Sequence, residues 1–254
     1  MLIVGKDSTF LRILYCYLLL KIPNSSLTLV CEKKESYFFF LKRRIKKIGI
    51  LTVIGQLFFI FFVVIPQTFF SRRRINAILN ANGLNLSKIE DDNIIYIDSI
   101  NSNSFHNILL KKNWSNVILC GSRIVSKKTL DIAKCKFINI HAGITPFYRG
   151  VHGLYWALYN REFNRAGVTL HYVDTGIDTG NIISQELVNI SKDDNFSTYP
   201  YLQFCSGLKL LLNFLDFPQK IQNYSFNDEL EISKLYYHPT IIQYVSRYFK
   251  YGVK

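Results

Sequence analysis

The sequence has no C-x-x-C pair, no two histidines at metal-ligand spacing, no internal repeat and no low-complexity tract. Its five cysteines, Cys16, Cys31, Cys120, Cys135 and Cys205, are odd in number and irregularly spaced. Neither a disulfide frame nor a zinc site is therefore expected, and a reducing cytoplasm fits best. The opening MLIVGKDSTF lacks the positive, then apolar, then small-residue order of a cleavable signal, so the apolar run Leu11 to Leu20 reads as a core helix. Acidic side chains are scarce: 18 Asp and Glu stand against 31 Lys and Arg, a formal charge of +13. What is abundant is apolar material, 49% of 254 residues with 15% aromatic, enough for one large domain spanning residues 1–254.

Taken alone the positive charge suggests phosphates, nucleic acid or an anionic membrane. Its distribution narrows this, because the excess of basic residues is concentrated before residue 81. There the stretch IGILTVIGQLFFIFFVVIP, Ile48 to Pro66, carries no charge and is flanked by Lys42, Arg43, Arg44, Lys46 and Lys47 on one side and Arg72, Arg73 and Arg74 on the other. Length alone makes it a transmembrane candidate. Basic flanks on both sides remove the asymmetry that orients a spanning helix, and a helix between strands of one sheet cannot cross a bilayer without tearing the sheet. Three readings stay open: an interfacial helix that meets an anionic membrane surface through residues 42–74, a helix buried in the domain or in a homodimer interface, and a true span.

Short apolar runs alternate with helical patterns. Strands are expected at Leu2–Val4, Ser26–Cys31, Ile94–Ile97, Val117–Cys120, Phe137–Ile140, Val168–Val173 and Ile182–Ile190. Helices are expected at Thr9 to Leu20, Tyr37 to Lys47, the apolar segment on through Leu79, Ser102 to Lys112, Ser126 to Ala133, Gly153 to Asn160 and Tyr199 to Phe214. Asn80 to Asp92 reads as a long loop. This alternation predicts an α/β, Rossmann-like, mostly parallel sheet flanked by helices, with an apolar helical insertion near 42–80 and a C-terminal helical extension near 196–254.

Ligands of such sheets sit at the carboxyl ends of the strands. At one such end stands FINIHAGITPFYRG, Phe137 to Gly150, in which Asn139 and His141 are two apart and so share a face of an extended chain. An Asn here can also simply bond to local backbone. Downstream, GVTLHYVDTGIDTGNIISQ, Gly167 to Gln185, holds two aspartates, Asp174 and Asp178, among turn residues. A fixed amide donor, a group titrating near neutrality and a carboxylate to orient it are together the parts of a proton-transfer site.

NIHAGITPFYRG, followed by YWALYNREFNRAGVTLH and then DTGIDTG, resembles the formyltransferase family that uses 10-formyltetrahydrofolate, in the pattern N-x-H, Tyr-Arg-Gly loop, Trp-Ala helix, G-V-T-x-H and D-x-G. The resemblance is strong from about Val117 to Gln185. It implies that Asn139, His141 and Asp178 are catalytic, with Asn139 and His141 donating to the developing oxyanion and Asp178 preferred over Asp174 by register. It further implies that Gly121, Ser122, Arg123, Ile124, Thr175, Gly176 and Asp178 contact the folate donor, and that Gly143, Tyr148, Arg149, Gly150 and His152 lie toward a small-molecule amine acceptor. His171 is expected to be a hydrogen-bonded structural residue, while His152 is balanced between acceptor contact and structure.

Gly143 to Pro146 replaces the serine and Leu-Leu-Pro common in the family, and GKDSTF lacks the phosphate loop of the purine enzyme. The implied reaction is N-formylation of an amino sugar on a nucleotide or lipid carrier, and a nucleic-acid partner is not expected. The methionyl-tRNA version, which has a further C-terminal barrel, and the purine version are alternatives. So is a noncatalytic membrane-peripheral module with this fold. The expected location is cytoplasmic, including the inner face of the membrane.

Overall fold

A computed structural model describes residues 1–84, 94–218 and 233–254. Beyond residue 84, the expected Asn80 to Asp92 loop lies outside the described residues, as does part of the expected C-terminal extension. Seven strands form one sheet in the order β3-β2-β1-β4-β5-β7-β8. They are β1 (Leu2–Lys6), β2 (Thr28–Glu32), β3 (Ile94–Ile97), β4 (Asn116–Cys120), β5 (Lys136–His141), β7 (Gly167–Tyr172) and β8 (Ile182–Leu187). β1 to β5 are parallel; the apolar runs of β1, β2 and β4 are covered on both faces, whereas β3 at the sheet edge leaves Ile95 and Tyr96 exposed. One core face packs α1 (Thr9–Lys21), α5 (Arg72–Ala81) and α9 (Tyr199–Asp216) onto Ile3, Leu29 and Ile118. The other packs Phe105 and Leu109 of α6 (Asn103–Lys111) onto Leu2, Val4 and Val117.

β7 and β8 run antiparallel, which alternation of strands and helices does not disclose. The chain between β5 and β7, which carries the two-residue strand β6 (Arg149–Gly150), α8 (Gly153–Tyr159) and a tight helical turn at Phe163–Arg165, returns from the opposite direction and lays β7 directly against β5. Strand β8 ends at Leu187, three residues before its expected end.

The apolar segment forms α3 (Ile50–Phe59) and α4 (Ile65–Phe70), joined through a π turn at Ile60–Val64 into one 21-residue helix, Ile50–Phe70. Pro66 explains the π turn: it has no N–H, and its ring would crowd the carbonyl four residues earlier, so the preceding turn widens. Gly49 separates this helix from α2 (Tyr37–Ile48). Ser71 ends it before α5, where a single helix through Leu79 was expected. Only one stripe of Ile50–Phe70 is buried: Val53, Gln56 and Phe59 face the domain, and Phe59 packs edge-on against Phe196 with ring centroids 4.8 Å apart. The opposite face stays exposed, so of the open readings burial within the domain accounts for one side of this helix only.

The C-terminal helix α10 (Ile241–Tyr251) packs beside α3 and opens with a capping box, Thr240 and Gln243. A two-residue strand, β9 (Leu235–Tyr236), pairs with β6 (Arg149–Gly150). Pairs this short carry no alternation by which a sequence could reveal them.

Candidate active site

The site begins where β5 ends. Asn139 and His141 project from one face of β5, and β7 places His171 directly opposite Asn139 and Thr169 directly opposite His141. The loop after His141 is held by Thr169, whose hydroxyl donates to the Gly143 carbonyl at 2.7 Å and accepts the Thr145 N–H at 3.1 Å. Gly143 is packed so closely that an added Cβ would lie 2.9 Å from His141 Nε2 and 2.4 Å from the Tyr148 carbonyl oxygen. A side chain there would displace the imidazole.

Asp178 arrives from the loop between β7 and β8 with φ +53°, a left-handed conformation that Asp tolerates better than most residues. Its Oδ1 lies 3.3 Å from His141 Nδ1 and 3.7 Å from His171 Nε2, while Oδ2 accepts the Gly150 N–H at 2.9 Å. Asp174 borders the same cavity as Asp178, but its carboxylate is engaged in its own loop and not with the imidazole. It is exposed and accepts from the Gly176 N–H and the Thr179 hydroxyl, closing its own turn.

His141 is 4% exposed, and its Nε2–H donates to the Tyr148 carbonyl at 2.7 Å. Burial pulls its pKa below the ordinary value, opposed by the Asp178 charge and the Tyr148 carbonyl. The neutral ring therefore carries its proton on Nε2 and turns an unprotonated Nδ1 toward Asp178, an assignment made from its hydrogen-bond partners. For Asp178 burial opposes ionisation, but the charge that His141 and His171 carry when protonated, together with the Gly150 N–H, outweighs it and brings the carboxyl down to about 2. His171 gives its Nδ1–H to the Tyr172 carbonyl at 2.7 Å, leaving Nε2 to accept from the Asn139 amide at 3.2 Å. The second Asn139 N–H remains for a ligand.

Asn139, His141, His171 and Asp178 line one side of a cavity of about 310 Å³, within the size of small-molecule sites. Its other walls are the segment Gly121 to Val125 and, from the loop after β7, Val173, Asp174, Gly176 and Ile177. The first is anchored by Glu32, a buried carboxylate at the end of β2 that accepts the backbone N–H groups of Arg123 and Ile100, each at 2.8 Å. The Arg123 guanidinium also turns to Glu32 and to the Lys33 carbonyl, so this residue offers the cavity chiefly its backbone. Gly121, with φ +67° and nothing within 4 Å of a Cβ position, leaves that wall open. Peptide N–H and carbonyl edges around a cavity of this size suit a flat heterocycle bearing amide-like donors and acceptors, as a pterin does.

Several expected contacts are placed differently. Thr175 is exposed at the loop tip and does not line the cavity, whereas Gly121, Ser122, Arg123, Ile124, Gly176 and Gly150 do. Gly143 and Tyr148 lie behind His141, and the Tyr148 hydroxyl is bound to Glu162 at 2.9 Å. Arg149 straps two loops together, its Nε donating to the Ile177 carbonyl at 2.8 Å and Nη1 to the Ser233 carbonyl at 3.0 Å. His152 turns from the cavity to His238, with ring nitrogens 3.0 Å apart. Burial lowers His152 well below its usual pKa and His238 to about 4, so this pair is neutral at physiological pH. Conversely, His171 was expected to be structural, but it reaches the cavity through its cross-strand position beside Asn139. The sequence signal for it was the Thr169/His171 alternation, legible only once β7 is known to pair with β5.

Residues 104–201 match the family model described as Formyl transferase. The methionyl-tRNA formyltransferase of Pelotomaculum thermopropionicum is 37% identical over 110 residues, covering 42% of this chain and 35% of that protein. That of Thermodesulfovibrio yellowstonii is 34% identical over 129 residues, covering 51% and 38%. The chain thus spans little more than a third of the length of the curated relatives it matches. Among solved structures, a 4-N formyltransferase from Francisella tularensis superposes with a TM-score of 0.54 at 19% identity, covering 96% of this chain and 85% of that one. An N-formyltransferase from Helicobacter canadensis, in complex with folinic acid and dTDP-3-aminofucose, gives 0.52 at 17% identity, covering 92% and 70%. Residues 104–201 of this chain thus resemble the formyl transferase family, and the chain as a whole shares its fold with solved formyltransferases.

Proposed function

We propose that the chain transfers a formyl group from 10-formyltetrahydrofolate to a primary amine, the acceptor being an amino sugar carried on a nucleotide or a lipid phosphate. The observation that carries this reading is the convergence of Asn139, His141, His171 and Asp178 on one side of a cavity otherwise walled by peptide backbone. A bound donor supplies an electrophilic formyl carbon. The free N–H of Asn139 donates to the carbonyl oxygen as its negative charge grows, which removing the donor should reveal as about 3 kcal/mol of barrier. His141 takes a different part from the expected one. Its Nε2–H is committed to the Tyr148 carbonyl, so Nδ1 is the atom that accepts the proton leaving the amine, directly or through one water. The resulting imidazolium faces ionised Asp178 and is stabilised by it. As the new N–C bond forms and the carbon–nitrogen bond to the donor breaks, the same pair returns the proton to the departing nitrogen.

The amino-sugar acceptor is supported by structural neighbours that are sugar N-formyltransferases and whose match covers most of this chain. A second reading, a methionyl-tRNA acceptor, is favoured by the sequence relatives over the matched segment. The test is a formylation assay with 10-formyltetrahydrofolate against nucleotide-linked and lipid-linked amino sugars and methionyl-tRNA, read by product mass, with His141→Ala as control. A formylated sugar made by wild type and not by the variant is expected. Formylation of methionyl-tRNA alone selects the second reading, and no product with any acceptor defeats both.

A further inference from the structure

We propose that the outer face of the helix Ile50–Phe70 docks the chain flat onto an anionic lipid bilayer. No charge occurs between Lys47 and Arg72, and the outer face presents Leu51, Ile54, Phe58, Phe61, Ile65 and Phe69, between 42% and 81% exposed. A surface helix of a water-soluble domain normally turns polar residues outward. The neighbouring α10 exposes apolar side chains as well, Ile242 at 77% and Phe249 at 81%. Such a face is stable only against an apolar phase.

The inner stripe sets how the helix can meet that phase. Gln56 donates to the His238 carbonyl at 2.6 Å and accepts from Arg44 at 2.9 Å, while Phe59 is fully buried against Phe196 and Tyr244. Crossing a bilayer would tear out Phe59 and carry Gln56 into hydrocarbon without its partners. The helix also lies between β2 and β3, which pair with each other in one sheet. Its axis therefore lies along the membrane surface, with the domain above it.

Charge selects the lipid over a second copy of the chain. Exposed Lys42, Lys46 and Lys47 stand before the helix, and exposed Arg72 and Arg73 after it. Two such faces meeting about a two-fold axis would bring basic end against basic end, whereas anionic headgroups complement both ends at once. The docked helix is also tied to the cavity rim: His238 holds Gln56, and Tyr236 of the same segment pairs with Gly150.

The experiment is cosedimentation of the full chain with phosphatidylcholine vesicles, with and without phosphatidylglycerol, independent of any formylation assay. Binding at least about tenfold tighter to the anionic vesicles is expected, weakened by salt. The triple variant Phe58→Ser/Phe61→Ser/Ile65→Ser and the variant Lys46→Glu/Lys47→Glu should each lose at least about tenfold in affinity, with wild-type circular dichroism and unfolding midpoints as folding controls. Equal binding to neutral and anionic vesicles, or full binding by both folded variants, overturns the proposal. So does a stable dimer that the triple variant dissociates while no vesicle binding occurs. Retention in the membrane after alkaline carbonate extraction would also overturn it, in favour of a spanning helix.

Discussion

The Oδ1 atom of Asp178 stands 3.3 Å from Nδ1 of His141, although one residue belongs to the loop between β7 and β8 and the other ends β5. Gly150 fixes the distance, because its N–H holds the other carboxylate oxygen at 2.9 Å. The pair is thus positioned by the backbone of β6, which is itself braced by β9.

Asp178→Asn keeps a residue that tolerates positive φ and removes only the charge. With no carboxylate to stabilise the imidazolium, kcat should fall by roughly 10²- to 10⁴-fold while folate binding, measured by fluorescence titration, stays near wild type. A wild-type kcat in this variant would remove Asp178 from the chemistry.

The pH dependence has a defined sign. Asp178 ionises at about 2 in the folded chain against 3.8 for a free side chain. Its contribution to stability, about 2.5 kcal/mol at most, is therefore present above pH 4 and lost as pH falls toward 2. His141 has a depressed folded pKa, so its contribution is present above the unfolded value of 6.5 and declines as pH falls through that value toward the folded one. In catalysis the neutral ring is the active form, and the acid limb of kcat/KM should lie below 6.5. Removing the Asp178 charge removes an influence that raises the His141 pKa, so this limb should move to still lower pH in Asp178→Asn. A limb moving upward would contradict the assignment of Nδ1 as proton acceptor.

Asn139→Ala takes away the amide that donates both to His171 Nε2 and toward the cavity. A loss of roughly 10²- to 10³-fold in kcat, with little change in acceptor KM, is expected from steady-state kinetics. An effect confined to KM would mean that Asn139 binds substrate and does not stabilise the developing charge.

Phe59→Ala and Phe61→Ala separate the two faces of the apolar helix. Phe59 is fully buried in the aromatic cluster, so its truncation should cost about 3–5 kcal/mol in urea unfolding. Phe61 is 64% exposed, and its truncation should change stability by less than about 0.5 kcal/mol. Equal costs would show that the outer face is also packed in solution.

Gly150→Ala would press a Cβ to 2.4 Å from the Tyr236 carbonyl oxygen at a φ of +97°. The strand pair must then shift and release Asp178, lowering thermal stability and kcat together. A variant with unchanged stability and rate would mean that β6 can move without moving the carboxylate.

The order of strands and helices, the place of Asn139 and His141 at a strand end, and the charge-free run between basic flanks were all legible in the chain, because each rests on local periodicity or composition. The antiparallel return of β7 was not, since alternation is the same in either direction, and with it went the approach of His171 to Asn139. Arg149 read as fixing its loop or meeting a phosphate or sugar group, and His152 as balanced between acceptor contact and structure; the sequence could not name what either would touch. Their real partners, the carbonyls of Ile177 and Ser233 and the ring of His238, come from distant segments.

By itself the sequence determined which chemical groups this protein owns and which segments are apolar enough to seek shelter. Tertiary structure decided which groups meet: it turned Asp178 and not Asp174 to the imidazole, committed His141 Nε2 to a backbone carbonyl, and covered only one stripe of the apolar helix. The reason is physical. Hydrophobic pattern is written along the chain, whereas an ångström-scale contact between a carboxylate and a ring is set by how separate strands and loops close upon one another.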